Sequence, residues 1–333
     1  MRCSLCPRRC EIRDGEFGFC GTRRGKDGGI ALPFYGRVTA LALDPIEKKP
    51  LFHFRPGSMV FSIGFAGCNL RCPFCQNWRI SHSTGARGDR MTPDNVVSAA
   101  RDSGSRAIAY TYSEPLVHAE FLLDCMALAR KRGIANVLVT NGCAGAEAAD
   151  EILSLADAAS VDLKCFSPGT YAQTLAEAGA YDPSFFDAVL AFVRQARAKN
   201  VHVELVTLVV PGMNDSAEEL DACADFVAQI NAEPGKPEAP WHLSAYHPAC
   251  NWRAPPTDAT FLLRAKERAG AKLRFVYAGN VPGEENNTLC PCCDALLVRR
   301  AGRLAETLAL APPQGSGAFF RCARCGGETG IVR

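Results

Sequence analysis

The sequence Gly67-Cys-Asn-Leu-Arg-Cys-Pro-Phe-Cys-Gln-Asn77 places three cysteines in C-x3-C-x2-C spacing. These are Cys68, Cys72 and Cys75, and they closely follow an apolar run over residues 59–65. Three thiolates in one short loop, with no fourth ligand beside them, fit three irons of a cubane cluster and leave the fourth iron open. A structural zinc site usually has four closed ligands, so the odd count argues against zinc. An open metal position is where chemistry on a small molecule can take place.

Composition limits the class of protein. The chain has 333 residues and a formal net charge of +2, which indicates neither a basic surface for nucleic acid nor an acidic disordered segment. Its 17 cysteines are unusual, and no signal peptide follows Met1. The longest apolar run, 201–210, is too short to cross a bilayer. Clustered cysteines without a secretory signal predict metal binding in a reducing cytoplasm, with no membrane partner.

The middle of the sequence alternates between short apolar runs and helix-like stretches. The apolar runs are residues 59–65, 106–110, 135–139, 159–163, 201–210, 241–245 and 273–278. This alternation predicts an α/β fold with a parallel sheet covered by helices. Six or seven units predict a partial TIM-like barrel, taken here as (β/α)6, with reactive groups at the carboxyl ends of its strands.

Cysteine density divides the chain into three zones. We expect an N-terminal Cys-rich metal-binding extension over 1–58, the barrel over 59–285 and a C-terminal module resembling a zinc ribbon over 286–333. Weak alternation over 30–43 indicates a hairpin in the first zone. The segment from Asp44 to His53 either lies near the barrel mouth, with Glu47 and His53 in acid–base or orienting roles, or is a solvated turn.

Two further groups of four cysteines predict metal sites. The first group is Cys3, Cys6, Cys10 and Cys20. Its four thiolates fit a closed zinc ion or a second iron–sulfur cluster, and a spacing unlike either common ferredoxin pattern favours zinc slightly. The second group is Cys290, Cys293, Cys322 and Cys325. Its paired C-x2-C knuckles predict zinc, which either only holds a small tail together or also builds a docking surface. Cys292 is a spare thiol or an alternate ligand.

Polar motifs follow the predicted strands after the cysteine loop. They are Tyr112-Ser113-Glu114-Pro115, Thr140-Asn141-Gly142, Asp162-Leu163-Lys164, Pro211-Gly-Met-Asn-Asp215 and Tyr246-His247-Pro248. With the loop, in which Phe74 precedes the last cysteine, this series resembles the radical S-adenosylmethionine (AdoMet) superfamily. Within that superfamily it is similar to the pyruvate formate-lyase activating enzyme branch.

The resemblance implies roles for particular residues. Cys68, Cys72 and Cys75 would hold a [4Fe–4S] cluster that supports radical generation. Glu114 is the candidate for the methionine amino group of AdoMet, although relatives usually have Gly-Gly-Glu-Pro where this chain has Tyr112 and Ser113. The other implied AdoMet-binding residues are Phe74, Asn141, Asp162, Lys164 and His247.

Within that branch, the chain is most similar to the radical AdoMet enzymes of the AmmeMemoRadiSam gene set. The segments that carry this likeness are 3–10, 18–23, 44–53 and 75–78. Two positions differ from the activating enzymes. Val139 stands where an Asp often precedes the Thr-Asn-Gly, and Val206 stands where an Arg often precedes the Pro-Gly.

The resemblance implies an enzyme that uses a [4Fe–4S] cluster and AdoMet, while the cysteine pattern predicts zinc and a cytoplasmic location. It would cleave AdoMet reductively to methionine and a 5′-deoxyadenosyl radical, which takes hydrogen from a protein, a peptide or a small molecule. The implied partners are an electron donor such as flavodoxin or ferredoxin and a possible protein or peptide substrate; nucleic acid is not expected. The alternatives are a metal scaffold for electron transfer or docking, and an RNA-modifying member of the same superfamily.

Overall fold

Short strands and turns make up the N-terminal zone. A computed structural model of the chain describes residues 1–83, 88–177, 183–313 and 318–333. The first strands are β1 (Arg24–Lys26), β2 (Gly29–Ala31), β3 (Arg37–Val38) and β4 (Ala40–Pro45). Asp27 and Gly28 join β1 to β2 with φ of 51° and 70°, as a type I′ hairpin turn requires. The hairpin predicted over 30–43 is therefore wrong. The hairpin forms earlier in the chain, between β1 and β2, because Asp27 and Gly28 supply its turn.

An eight-stranded sheet forms the centre of the fold. The strands that follow β4 are β5 (Met59–Gly64), β6 (Asp89–Arg90), β7 (Ala107–Thr111), β8 (Ala135–Thr140), β9 (Ala158–Asp162), β10 (His202–Val209), β11 (Trp241–Ala245) and β12 (Val276–Gly279). The sheet order is β12-β11-β10-β9-β8-β7-β5-β4, and β6 pairs with β3 outside this sheet.

All strands of the large sheet run parallel except β4, which lies antiparallel to β5 at one edge. Among the described strands β4 and β12 have no second neighbour, so the sheet is open, as a partial barrel requires. The predicted α/β fold with a parallel sheet is confirmed. The described part of the sheet has seven parallel strands, one more than a (β/α)6 barrel supplies, and β12 is the additional strand. The zone limits at 58 and 285 stay predictions, and β4 shows that the first zone adds a strand to the barrel sheet.

Helices cover the outer face of this sheet. The helices that pack on it are α2 (Pro93–Asp102), α3 (Ala119–Lys131), α4 (Ala146–Leu153), α6 (Ser184–Ala198), α7 (Ala217–Asn231) and α8 (Ala259–Gly270). Two single-turn helices, α1 (Trp78–Ser81) and α5 (Pro168–Thr170), lie in the connections after β5 and β9. Thr92, Ser216 and Asp258 begin α2, α7 and α8 by accepting a hydrogen bond from a backbone N–H three residues on. None of the helices in the described ranges is long and apolar enough to span a bilayer.

The two faces of the sheet carry different cores. The outer core packs large strand residues such as Ile63 and Tyr110 against the helices. On the inner face, small strand residues such as Ala109 and Val137 pack against Ile46, Leu51 and Phe54. Burying such large apolar side chains contributes roughly 1.5–3 kcal/mol each. Residues 46–54 therefore form a floor inside the open barrel.

Two small sheets build the C-terminal module. Its strands are β13 (Thr288–Leu289), β14 (Leu296–Ala301), β15 (Leu304–Thr307), β16 (Leu310–Ala311), β17 (Phe319–Cys322) and β18 (Glu328–Val332). Strands β13–β15 form one antiparallel sheet and β16–β18 the other. The shared core is small, with Leu297, Val298 and Ile331 packed around Cys290 and Cys322. A core of this size needs additional support, which a bound metal can supply.

Candidate active site

The three-cysteine loop lies between β5 and α1, at the carboxyl edge of the parallel sheet. Gly67 begins it with φ of 87°, and a Cβ at this position would come within 2.4 Å of the Cys20 carbonyl oxygen. Only glycine accommodates both the left-handed backbone and this close approach. The sequence therefore sets the loop directly against the N-terminal zone.

Burial affects the protonation of two of these thiols, Cys68 and Cys72. It raises the pKa of Cys68 well above its usual value, and the charge of Glu114 adds to this effect. Burial also raises the pKa of Cys72 to about 12, although the positive charge of Lys164 opposes the shift. Thiolates are the metal-binding form, so a metal bound here would have to supply the positive charge that deprotonates these two residues.

The distances between the thiols distinguish a site for a single metal ion from a site for a cluster. Four thiolates on one zinc ion lie about 3.8 Å apart, from the Zn–S distance of about 2.3 Å and tetrahedral geometry. In the described residues, the only group of metal-ligating side chains with all donor atoms within 4.8 Å of one another is the C-terminal set of four cysteines. The loop thiols are therefore not arranged around a single ion. Three separated thiols without a fourth fit three corners of an iron–sulfur cluster.

Asn141 connects the loop to the end of β8. Its Nδ2 donates to Asn69 Oδ1 over 2.9 Å and lies 3.7 Å from the Cys68 sulfur. The Asn69 amide in turn donates to the Cys143 carbonyl over 2.6 Å. The structure thus brings together Asn141, a predicted AdoMet residue, and the cluster loop. Asn69 was not among the site residues predicted from the sequence, although its position between Cys68 and Cys72 could have identified it.

Glu114 is buried where β7 and β8 end. Its carboxylate accepts hydrogen bonds from Thr140 Oγ1 (2.6 Å), Asn141 N (2.8 Å) and Leu116 N (3.1 Å). Burial raises the pKa of Glu114 to about 7, although these three hydrogen bonds oppose the shift. Glu114 thus holds Asn141 in place, and its predicted contact with the AdoMet amino group stays a prediction.

Tyr112 and Ser113 adopt backbone conformations that favour glycine, with φ of 50° and 96°. The Ser113 hydroxyl donates to the Gly67 carbonyl. The Tyr112 hydroxyl donates to Asp44, which also accepts from Lys48 and Lys49 over 2.7 Å each. The chain therefore keeps a backbone shape suited to Gly-Gly without glycines, and side-chain hydrogen bonds hold it.

Asp162 and Lys164 form an ion pair of 2.8 Å at the end of β9. Burial opposes the Lys164 charge, but Asp162 and then Cys72 raise the pKa of this ammonium above its usual value. Lys164 therefore stays charged beside the cysteine loop. This position suits an anionic group bound at the loop.

The two remaining predicted AdoMet residues lie differently. Phe74 is 3% exposed and packs in the outer core with Leu70 and Cys72. His247 directly follows β11 at the same edge of the sheet, and it is exposed. An AdoMet-binding role for Phe74 and for His247 stays a prediction.

Other side chains that support the loop were also not predicted from the sequence, although Arg71 lies within the loop itself. His118 Nε2 lies 2.8 Å from the Ala66 carbonyl, and burial lowers the pKa of this imidazole to about 4. The Arg71 guanidinium donates to the carbonyls of Cys68 (2.7 Å) and Phe19 (2.6 Å). Ser81 Oγ lies 3.2 Å from the Cys75 sulfur. Several elements therefore fix the loop before any cofactor binds.

The structure corrects the placement of Glu47 and His53. His53 Nε2 lies 2.8 Å from the Tyr277 hydroxyl, near the start of β12. The backbone N–H of His53 donates to Glu204 near the start of β10. Glu47 is 5% exposed and accepts from the Gly57 N–H. These side chains therefore lie at the amino end of the barrel, away from the loop, because residues 46–54 fill the inner face.

The C-terminal cysteines form a candidate metal site. Cys290 and Cys325 sulfurs are 3.7 Å apart, and those of Cys293 and Cys322 are 3.8 Å apart. Burial opposes ionisation of Cys322, but backbone N–H groups of Cys325 and Arg324 lower its pKa to about 7. These spacings match a single tetrahedral ion, and Cys292 lies outside the group.

The N-terminal cysteines are placed differently. Cys3, Cys6, Cys10 and Cys20 all line one small cavity, which Asn69 of the cysteine loop also lines. They are absent from the closely spaced ligand groups among the described residues. The structure thus brings these four thiols together without the geometry of a single ion.

An open parallel α/β sheet with three thiols in the loop after its first parallel strand defines a class of α/β protein with a candidate metal-binding site at the carboxyl edge of the sheet. Comparison with known proteins agrees with this class, because residues 62–227 match the Radical SAM superfamily. The chain is 39% identical over 305 residues to the uncharacterized protein MJ0808 of Methanocaldococcus jannaschii, covering 90% of this chain and 87% of that protein. The chain therefore belongs to the radical SAM superfamily.

More distant similarities point to the activating-enzyme branch. The pyruvate formate-lyase 1-activating enzyme of Escherichia coli is 24% identical over 191 residues, covering 55% of this chain and 74% of that enzyme. The crystal structure of Streptococcus suis SuiB bound to S-adenosylmethionine matches with a TM-score of 0.51 and 14% identity, covering 71% of this chain and 53% of that one. The SuiB likeness concerns the fold alone.

Proposed function

We propose that the protein cleaves AdoMet reductively at a [4Fe–4S] cluster held by Cys68, Cys72 and Cys75. When bound, the reduced cluster would supply the electron that splits AdoMet into methionine and a 5′-deoxyadenosyl radical, which takes hydrogen from a substrate. The observation that carries the proposal is the separated three-thiol loop, with Asn141 3.7 Å from the Cys68 sulfur. A fourth cysteine is missing from this loop, which leaves one iron for AdoMet.

The side chains around the loop would bind and orient AdoMet. Lys164 keeps its charge beside Cys72 and Cys75 and would pair with the AdoMet carboxylate. Asp162, which already accepts from Lys164, has oxygen capacity left for ribose hydroxyls. Glu114 would receive the methionine ammonium directly or hold Asn141 for that contact.

The test is product formation under anaerobic conditions. Protein reconstituted with iron and sulfide, then given dithionite and AdoMet, should release 5′-deoxyadenosine and methionine, detected by liquid chromatography with mass spectrometry. Cys72→Ala should abolish this product because it removes one cluster ligand. Cys125→Ala, a buried cysteine of α3, is the matched control and should retain it. A fully loaded, reduced wild-type sample without product would favour an electron-transfer or docking scaffold instead.

The substrate that receives the radical is a protein, a peptide or a small molecule. A protein target is supported by the similarity to an enzyme named for activating pyruvate formate-lyase. Val139 and Val206 depart from the activating-enzyme pattern, so glycyl-radical activation is one option among these. Flavodoxin or ferredoxin would supply the electron in the cytoplasm. A cell fraction containing the substrate should raise 5′-deoxyadenosine formation above the basal rate.

We further propose that Cys290, Cys293, Cys322 and Cys325 bind one zinc ion. Support comes from their closely spaced sulfurs and from the small core around them. Zinc with four thiolates is a closed structural site, so its role is to stabilise the module.

A further inference from the structure

The N-terminal zone contains a cavity whose wall is unusually rich in thiols. Cys3, Cys6, Cys10 and Cys20 all line it, although they are spread over 18 residues of the sequence. The chain thus folds back on itself to bring four potential ligands to one space. Two guanidinium groups, of Arg8 and Arg23, lie in the same wall.

The spacing of these thiols differs from that of the C-terminal set. In the C-terminal module two thiol pairs lie 3.7 and 3.8 Å apart, as ligands of one ion should. Among the described residues, no three of the N-terminal four have sulfurs that all lie within 4.8 Å of one another. Each cysteine of a cubane binds a different iron, so its four thiols must stand farther apart than those around one zinc ion.

Two buried N–H groups in the cavity wall have no partner. Arg8 Nε and Arg23 Nε are both buried without a hydrogen bond among the described residues. One other nitrogen of each group is engaged, since Arg23 Nη2 donates to Glu120 over 2.7 Å and Arg8 Nη2 donates to the Ala176 carbonyl. A buried unpaired donor costs about 1–3 kcal/mol. Cluster sulfurs accept N–H hydrogen bonds, and two cations offset the charge of a thiolate-bound cluster.

The cavity adjoins the catalytic loop. Asn69, between Cys68 and Leu70, lines it, and Gly67 packs against the Cys20 carbonyl. Arg8 Nη2 also lies 3.5 Å from the Asn69 carbonyl. One wall of this cavity is therefore formed by the residue that directly follows Cys68, the first cysteine of the loop.

We propose that Cys3, Cys6, Cys10 and Cys20 hold a second [4Fe–4S] cluster, with Arg8 and Arg23 as its charged neighbours. All four corners of this cluster have a cysteine, so it does not bind AdoMet. This assignment replaces the zinc that the sequence spacing favoured slightly. It concerns a site separate from the three-cysteine loop, and it stands whether or not the loop cleaves AdoMet.

The experiment counts metals in variants of the full chain. A variant with Cys68→Ala, Cys72→Ala and Cys75→Ala should retain about four irons and four sulfides after anaerobic reconstitution, and its electron paramagnetic resonance (EPR) signal after reduction should not respond to AdoMet. The complementary variant, Cys6→Ser with Cys20→Ser, should lose about four irons and keep the AdoMet-responsive signal. Cys125→Ala is the control and should retain both clusters.

An iron-free triple variant that carries about two zinc ions per chain would overturn the proposal, because the N-terminal cysteines would then bind zinc. If circular dichroism shows that either variant is unfolded, the iron content of the wild-type chain tests the proposal instead. Mössbauer spectroscopy should then find about eight cluster irons per chain; about four would reject the second cluster.

Discussion

At the scale of single residues, Tyr112 and Ser113 show how a motif can be kept without its usual amino acids. Their positive φ values cost roughly 1 kcal/mol or more each relative to glycine. Hydrogen bonds to Asp44 and to the Gly67 carbonyl offset that cost. The departure from Gly-Gly-Glu-Pro was visible in the sequence. The compensation was not, because Asp44 lies 68 residues away.

Tyr112→Phe should therefore destabilise the chain by about 1–2 kcal/mol, since it removes one hydrogen bond to a buried carboxylate and leaves the strained backbone in place. The free energy of unfolding in urea measures this effect. Tyr35→Phe removes the same atom from an exposed contact with Asp124 and should cost less. Equal effects in the two variants would show that Asp44 does not hold Tyr112.

Glu114 should make stability depend on pH. Burial raises the pKa of its carboxyl from 4.5 to about 7. The folded chain therefore binds a proton that the unfolded chain releases, and stability from this group is full below pH 4.5 and is lost as the pH rises through 7. The loss is on the order of 3 kcal/mol.

Glu114→Gln should remove that part of the pH dependence, although it weakens the chain overall because the Asn141 N–H loses its acceptor. Unfolding measured at pH 5.5 and pH 8 in the iron-loaded protein tests this. If wild type and variant lose the same stability between the two pH values, Glu114 does not titrate in this range.

At the scale of elements, strand and helix order could be predicted because apolar periodicity is a local property of the sequence. The runs 106–110 and 241–245 became β7 and β11 almost unchanged. By contrast, the position of the antiparallel strand β4 could not be predicted. Leu41 and Leu43 are apolar but exposed, so this strand lacks the usual alternation of buried apolar and exposed polar residues. The floor segment 46–54 was also missed. Its position depends on Glu204, which is more than 140 residues later in the chain.

Glu204 fastens this floor to the sheet. Its buried carboxylate accepts from the backbone N–H groups of Phe52 (2.9 Å) and His53 (2.6 Å) and lies within 2.9 Å of the His202 and His242 rings. Glu204→Gln turns one acceptor into a donor that faces other donors. It should destabilise the chain by about 2–4 kcal/mol in chemical unfolding.

Glu233→Gln is the control for this change, because Glu233 forms a partly exposed ion pair with Arg197 and should cost under about 1 kcal/mol. A Glu204→Gln effect no larger than that of the control would mean that the floor is held by apolar packing alone.

At the scale of the whole molecule, the C-terminal module contacts the floor segment, residues 46–54, and helps to hold it in place. The Arg300 guanidinium lies 4.2 Å from the Phe52 ring centroid and donates to the Phe52 carbonyl over 2.6 Å. Val332 N–H donates to the His53 carbonyl over 2.7 Å. The module that carries the candidate metal site therefore supports the barrel. The sequence indicated the metal site but not these contacts.

Loss of the C-terminal metal should thus weaken the entire chain. Cys293→Ser should release the zinc and lower the unfolding temperature of the barrel by roughly 5 °C or more, because 1 kcal/mol corresponds to about 2–4 °C in chains of this size. Differential scanning calorimetry with zinc analysis measures both effects. Cys292→Ser, outside the ligand group, should change neither. A barrel transition unaffected in Cys293→Ser would show that the module folds independently of the floor.

The central claim is that one iron beside Cys68, Cys72 and Cys75 stays open to AdoMet. The most direct measurement is the EPR spectrum of the reduced, iron-loaded chain before and after AdoMet is added. We predict an AdoMet-induced change of the cluster signal in the wild type and in Cys125→Ala, and no AdoMet-induced change in Cys72→Ala, where any remaining signal comes from the second cluster proposed at the N-terminal cysteines. An unchanged spectrum in a fully loaded wild-type sample would contradict the account.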